Sequence, residues 1–206
     1  MKKEQAKTIV KTLAEVFLDK PALNFNTPYQ LLIAVILSAQ CTDERVNKVT
    51  EKLFSNYGTP EKMITLTQDQ LEGYIFSCGL YKSKAKNILL TTSAILEKFN
   101  GEVPNDLESL RTLNGVGRKT ANVVYSVAFS GQAIAVDTHV FRVARRIGFS
   151  NGKNPLQVEK DLMKTIDKND WSKSHHYLIY LGRSFCSARK PNCENCPIKD
   201  HCLKKI

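Results

Sequence analysis

Long apolar runs are missing from this 206-residue chain: the most extended, Leu31 to Leu37, has seven residues, against the roughly 20 that a membrane-spanning helix needs. That leaves no membrane association to expect. An export signal is missing too, because Met1-Lys2-Lys3 leads into Glu4 and Gln5 and not into an apolar core, so an intracellular, cytoplasmic protein is expected. No partner strands with alternating apolar and polar residues occur, which argues against a sheet. A nucleotide-binding P-loop is excluded, since Gly117-Arg118-Lys119-Thr120 puts an arginine between glycine and lysine and has neither the earlier glycine nor a preceding strand. Low-complexity segments and usable repeats are likewise absent. Acidic residues are scarce relative to basic ones, 20 Asp and Glu against 30 Lys and Arg, for a net charge of +10.

What is present is helical periodicity. Hydrophobic residues make up 42% of the chain, enough for a globular core in one large domain or two small ones. Residues 3–19 predict an amphipathic helix with Ile9, Leu13, Val16 and Phe17 on one side. Thr27-Pro28 supplies a cap and a first-turn proline for a helix from Tyr29 to Ala39, which is apolar all round and therefore central. Val46, Val49, Leu53 and Phe54 carry the next helix to Tyr57. Thr59-Pro60 starts a short one, Thr67 with Gln70 resembles a capping box, and Cys78-Gly79-Leu80-Tyr81 turns into a long helix reaching about Phe99. After a loop at 100–106, further helices are expected through Phe141, Ala144 and Ile147, through Val158, Leu162 and Ile166, and across Tyr177 to Leu181. The fold class expected is all-α.

Between residues 107 and 137 the pattern changes character. Leu107, Leu110 and Leu113 have helical spacing, Gly115-Val116-Gly117 interrupts it, and Ala121, Val124 and Ala128 resume it: helix, glycine hairpin, helix. Such a hairpin exposes backbone. The N–H groups opening its second helix suit an anion such as a phosphate. Lys119 falls in that first turn beside Arg118, where positive charge is disfavoured, a placement that favours an amine acting as a nucleophile. Asp137 follows a seven-residue connector, Ser130 to Val136, that can span up to roughly 25 Å and so permits the carboxylate to return to the level of Lys119. From spacing alone, a solvated lysine and a helix-capping aspartate remain open alternatives. The charge concentrates here: residues 111–148 hold six Lys or Arg against one Asp, and residues 182–206 hold six against two. A polyanion, most simply nucleic acid, is the expected partner.

The last segment is the most specific. Cys186, Cys193, Cys196 and Cys202 follow the spacing C-x6-C-x2-C-x5-C, and four thiolates in a short, otherwise irregular segment point to a metal that organises it. All-sulfur ligation fits zinc or an iron–sulfur cluster. Arg189 and Lys190 sit between the first two cysteines, placed to meet a phosphate backbone. Cys41 and Cys78 lie apart in sequence and are expected to be small, partly buried hydrophobes.

With Leu113-Asn114-Gly115-Val116-Gly117-Arg118-Lys119-Thr120, Val136-Asp137-Thr138-His139 and the cysteine spacing on the page, the chain resembles the endonuclease III family of base-excision DNA glycosylases. The likeness extends to Leu37-Ser38-Ala39-Gln40 and to Gly79-Leu80-Tyr81-Lys82-Ser83-Lys84-Ala85. The resemblance implies two helical domains, residues 21–131 with the hairpin near 113–119, and residues 1–20 plus 132–206 ending in the cluster loop 186–202. It implies a [4Fe–4S] cluster on the four cysteines and a monomer acting on double-stranded DNA that carries an oxidised pyrimidine or an abasic site. Lys119 would be the nucleophile and Asp137 its partner. Gln40 and Leu80 would fill the gap left by an extruded nucleotide, Gly115, Val116 and Gly117 would hold a phosphate, and His139 would be a further contact. Asn114 departs from the family's usual proline, and Asn tolerates turn geometry. A non-catalytic DNA-binding module and an electron-transfer protein are the rival readings.

Overall fold

The computed structural model describes residues 1–204. Among them are eleven α-helices in chain order: α1 (Lys3–Val16), α2 (Pro28–Ser38), α3 (Asp43–Tyr57), α4 (Pro60–Met63), α5 (Gln68–Ile75), α6 (Tyr81–Lys98), α7 (Leu107–Leu110), α8 (Arg118–Ala128), α9 (Thr138–Ile147), α10 (Pro155–Thr165) and α11 (Trp171–Ser184), the last preceded by a 3-10 turn at Lys168–Asp170. The described residues contain no strand, and the all-α expectation holds. The chain divides into two compact units, one of residues 21–129 and one of residues 1–20 with the chain from 130 onward.

In the first unit the centre is α2. Thr27 accepts the Gln30 N–H at 3.2 Å and Pro28 opens the first turn, so the start is fixed locally. Tyr29 and Leu31 through Leu37 are all buried, because α3, α6 and α8 pack around this helix. Each fully buried Leu or Ile contributes about 1.5–3 kcal/mol of burial free energy. Thr42, Thr59 and Asp106 cap α3, α4 and α7, and Thr67 with Gln70 forms the expected capping box on α5. The helix leading into the hairpin is shorter than the leucine spacing suggests. α7 ends at Leu110, and the Thr112 and Leu113 amides donate to carbonyls three residues back, which tightens the chain while Leu113 stays buried.

In the second unit α9 and α11 cross closely. Gly182 makes this possible: a Cβ there would stand 3.1 Å from His139 Nδ1, Arg142 Nη2 and Val143. Ile134, Val140, Val143, Ile147, Leu162, Leu178 and Leu181 join Ala6, Ile9 and Leu13 of α1 in one core. α1 stops at Val16, three residues before the expected end, and Val16 is 49% exposed where the periodicity put it on the apolar side. The cause is Phe17. It takes extended backbone and sets its ring 6.0 Å from Tyr180 and 6.4 Å from Phe185, contacts a continuing helix would not direct it towards.

Candidate active site

Gly115 has φ +74°, and a Cβ there would meet Asn87 at 3.0 Å, so glycine is required by conformation and by packing. Thr91 on α6 holds the Asn114 carbonyl at 2.7 Å, which anchors the turn at the position of the family's proline. Gly117 is different. Its backbone is ordinary extended chain, but nothing lies within 4 Å of the place a Cβ would occupy. As the N-cap of α8 it also brings no side-chain cap. Val116 turns its side chain into the unit, so any contact it makes outward runs through its backbone. Lys119 is the second residue of α8 and is exposed.

Gln40 and Leu80, which no pattern in the sequence distinguishes from a polar helix end and a core leucine, are both exposed and both left-handed, with φ +53° and +59°. Such backbone costs a non-glycine residue on the order of 1–3 kcal/mol and gathers at functional sites. The two turns touch: a Cβ on Gly79 would lie 3.1 Å from the Gln40 carbonyl oxygen. Beneath them Lys84 is buried and donates from Nζ to the Leu37 and Ala39 carbonyls at 2.8 and 2.6 Å. It thereby closes the C-terminus of α2 with positive charge. Desolvation lowers its pKa, while the Cys78 and Cys41 thiols oppose that shift. Cys41 and Cys78, far apart in sequence, are thus neighbours, Cys78 buried and Cys41 partly so.

In the other unit Asp137 is the N-cap of α9, accepting the Val140 N–H on Oδ1 at 2.7 Å. The capping role is therefore real, and it fixes the carboxylate at the rim of the helix. Arg142 Nη2 lies 3.2 Å from His139 Nδ1. A guanidinium only donates, so in this contact Nδ1 accepts and the His139 proton sits on Nε2. The same guanidinium donates to the Gly182 and Cys186 carbonyls at 3.0 and 3.1 Å. One turn on, Arg146 donates to the Ser187 and Ala188 carbonyls at 2.7 and 2.9 Å and approaches Cys186 Sγ at 3.6 Å. Sequence reasoning singled out neither arginine. Their i, i+4 spacing on one face was the available sign.

These arginines hold the start of a loop whose four cysteines line one cavity with Ile147, Leu181, Phe185 and Ile198. Burial raises the Cys196 and Cys202 pKa values, and the other thiols add to the shift. Four thiolates in this setting need a positively charged centre. Four thiols lining one largely apolar cavity suit a cluster of several irons. Arg189 and Lys190 are exposed on this loop.

A helical protein with a glycine hairpin and a four-cysteine loop belongs to a recognisable class. The family model described as HhH-GPD superfamily base excision DNA repair protein matches residues 33–168, and the one described as iron-sulfur binding domain of endonuclease III matches residues 186–202. The chain is 52% identical over 183 residues to endonuclease III of Haemophilus influenzae and, separately, to that of Escherichia coli K12, covering 89% of this chain and 87% of each relative. It also matches a solved structure of a trapped endonuclease III–DNA covalent intermediate, with TM-score 0.93, 48% identity and coverage of 99% and 97% of the two chains. The chain belongs to the endonuclease III family. It is a base-excision DNA glycosylase and AP lyase, and its cofactor is a [4Fe–4S] cluster.

Proposed function

We propose that the enzyme, as an intracellular monomer, removes oxidised pyrimidines from duplex DNA and cuts the strand 3′ to the abasic site. Residues 21–131 act as the hairpin domain, and residues 1–20 with 132–206 as the cluster domain. The damaged nucleotide leaves the stack, at a cost of a few kcal/mol that is smaller for a damaged pair, and Gln40 and Leu80 take its place. The hairpin at Gly115, Val116 and Gly117 holds one phosphate region through backbone N–H groups not already used inside the turn, as that of Val116 is by the Leu113 carbonyl, while Arg189 and Lys190 hold another and His139 is a further contact.

The Lys119 amine attacks the sugar C1′ and the bond to the base breaks, the base leaving with the electron pair and taking up a proton. The sugar ring opens to a protonated Schiff base. Loss of a C2′ proton then expels the 3′ phosphate, and water releases the lysine. Asp137 accepts the proton that Lys119 must lose and stabilises positive charge developing on the sugar. Cys186, Cys193, Cys196 and Cys202 hold the cluster, which when bound organises the basic loop.

One observation carries this reading: an exposed lysine in the first turn of α8, four residues after the left-handed Gly115, in a chain 48% identical to a protein trapped covalently with DNA. Borohydride reduction with abasic-site duplex tests it. A covalent adduct is expected for the unmodified protein and none for Lys119→Ala, which should keep its DNA affinity. An adduct of equal yield in Lys119→Ala sinks the assignment, and no adduct in either favours the non-catalytic module.

A further inference from the structure

Two cysteines outside the cluster loop have no part in the chemistry above, yet the fold puts them in one place. Cys41 directly follows Gln40, and Cys78 lies two residues before Leu80. The turns carrying them are pressed together by backbone, as the 3.1 Å between the Gly79 Cβ position and the Gln40 carbonyl shows. Lys84 staples the same spot from below through the Leu37 and Ala39 carbonyls. Both thiols are free; Cys78 is fully buried and Cys41 partly exposed.

We propose that Cys41 and Cys78 form a reversible redox pair, closed to a disulfide by a low-molecular-weight disulfide, and that closing it disables the two turns that enter the DNA. The second half rests on the assignment of Gln40 and Leu80 to the extrusion gap. Exposure sets the order of events. The Cys41 thiolate attacks one sulfur of oxidised glutathione and releases one glutathione thiol. The Cys78 sulfur then attacks Cys41 in the mixed disulfide and releases the second. Two protein thiols become one disulfide, and their protons and electrons end on two glutathiones. Burial and the adjacent Cys41 push the Cys78 thiol up to about 11, so Cys41 reacts first; once Cys41 is held in the mixed disulfide its charge no longer adds to that shift, and Cys78 resolves it because the two turns hold it next to the bond.

The consequence follows from the two left-handed residues. Both are strained, and both are adjacent to the new covalent bond or one residue removed from it. Drawing the sulfurs to bonding distance, about 2.05 Å, shifts Gln40 against Leu80, and a misplacement of about 1 Å in a positioning element can cost on the order of a hundredfold in rate. In a reducing compartment the pair stays open, and oxidation becomes a transient signal.

The test uses holoenzyme with its cluster absorbance monitored throughout. After oxidised glutathione, peptide mapping should find a Cys41–Cys78 cross-link that a thiol reductant reverses. Cleavage of an oxidised-pyrimidine duplex should fall at least about tenfold in step with the cross-link and recover on reduction. Cys41→Ala, a change at a partly exposed position, should be active and indifferent to the treatment; Cys78→Ala should behave alike if it folds. A glutathione adduct that persists on Cys41 without a cross-link overturns the proposal, as does activity that tracks loss of cluster absorbance. A complete cross-link with unchanged cleavage overturns the regulatory half. Borohydride trapping of the reduced protein is scored separately, so failure of the lysine chemistry is not confused with failure of the thiol pair.

Discussion

Capping and the catalytic role proposed for Asp137 make different demands on it, and substitution separates them. The cap needs an oxygen that accepts the Val140 N–H, and Asn supplies one about as well as Asp. Catalysis needs the negative charge. Asp137→Asn should therefore change folding stability by less than about 0.5 kcal/mol while lowering the single-turnover cleavage rate by on the order of 10²–10⁴. Asp137→Ala should lose the same rate and, in addition, about 1 kcal/mol of stability. Urea unfolding midpoints and rapid-quench kinetics on one set of proteins read both quantities. Full activity in Asp137→Asn would leave the carboxylate as a helix cap and nothing more. Gln40 and Leu80 present the opposite case at this scale. Residue type gives no hint of the role proposed for them; the positive φ of each, a costly conformation for a non-glycine residue, is the feature that draws attention to them.

At the scale of single helices, α9 does more than its periodicity advertises. Of its buried face, Val140, Val143, Ala144 and Ile147, the spacing in the sequence picks out Ala144 and Ile147, together with the half-buried Phe141. Its other face places the Asp137 cap, His139, Arg142 and Arg146 in sequence from the first turn to the last, with both arginines on carbonyls of the cysteine loop. Hydrogen bonds to charged donors contribute about 1.5–3 kcal/mol each when buried, less where solvent reaches them, as it does Ala188. Arg146→Met keeps the aliphatic stem and removes the donors. Its loop should lose iron to a chelator several-fold faster, with the cluster absorbance as the readout, while trapping at saturating DNA in freshly loaded protein stays near the unmodified level. Arg145 is the control on the same helix. It sits 5.4 Å from the Phe141 ring centroid and touches no loop carbonyl among the hydrogen bonds described, so Arg145→Met should retain iron normally. Equal iron loss in both variants would mean that helix charge in general, not the Arg146 contacts, protects the cluster.

Over the whole molecule, what the sequence made legible was local. Caps at Thr27, Thr59 and Thr67, the first-turn prolines and the apolar run of α2 each act within one or two turns of chain, so spacing alone locates them. The contacts that build the site are not local. Lys84 meets Leu37 across 47 positions, and Arg142 meets Cys186 across 44, separations at which periodicity carries no information. The same holds for the meeting of Cys41 and Cys78. Net charge is the property that sequence and function share at this scale, because it acts through space without regard to register. A chain of +10 that neutralises Z phosphates on binding duplex DNA shows an affinity falling with salt at a slope of about −0.9Z. Arg189 and Lys190 lie exposed on the cysteine loop. If each neutralises a phosphate, Arg189→Ala and Lys190→Ala should each flatten that slope by about one, the double variant by about two, with no change in lesion preference. Fluorescence anisotropy on an undamaged and a lesion-bearing duplex across a salt series measures both. Slopes that do not move would make the loop's charge incidental and leave the cluster as a staple for the fold.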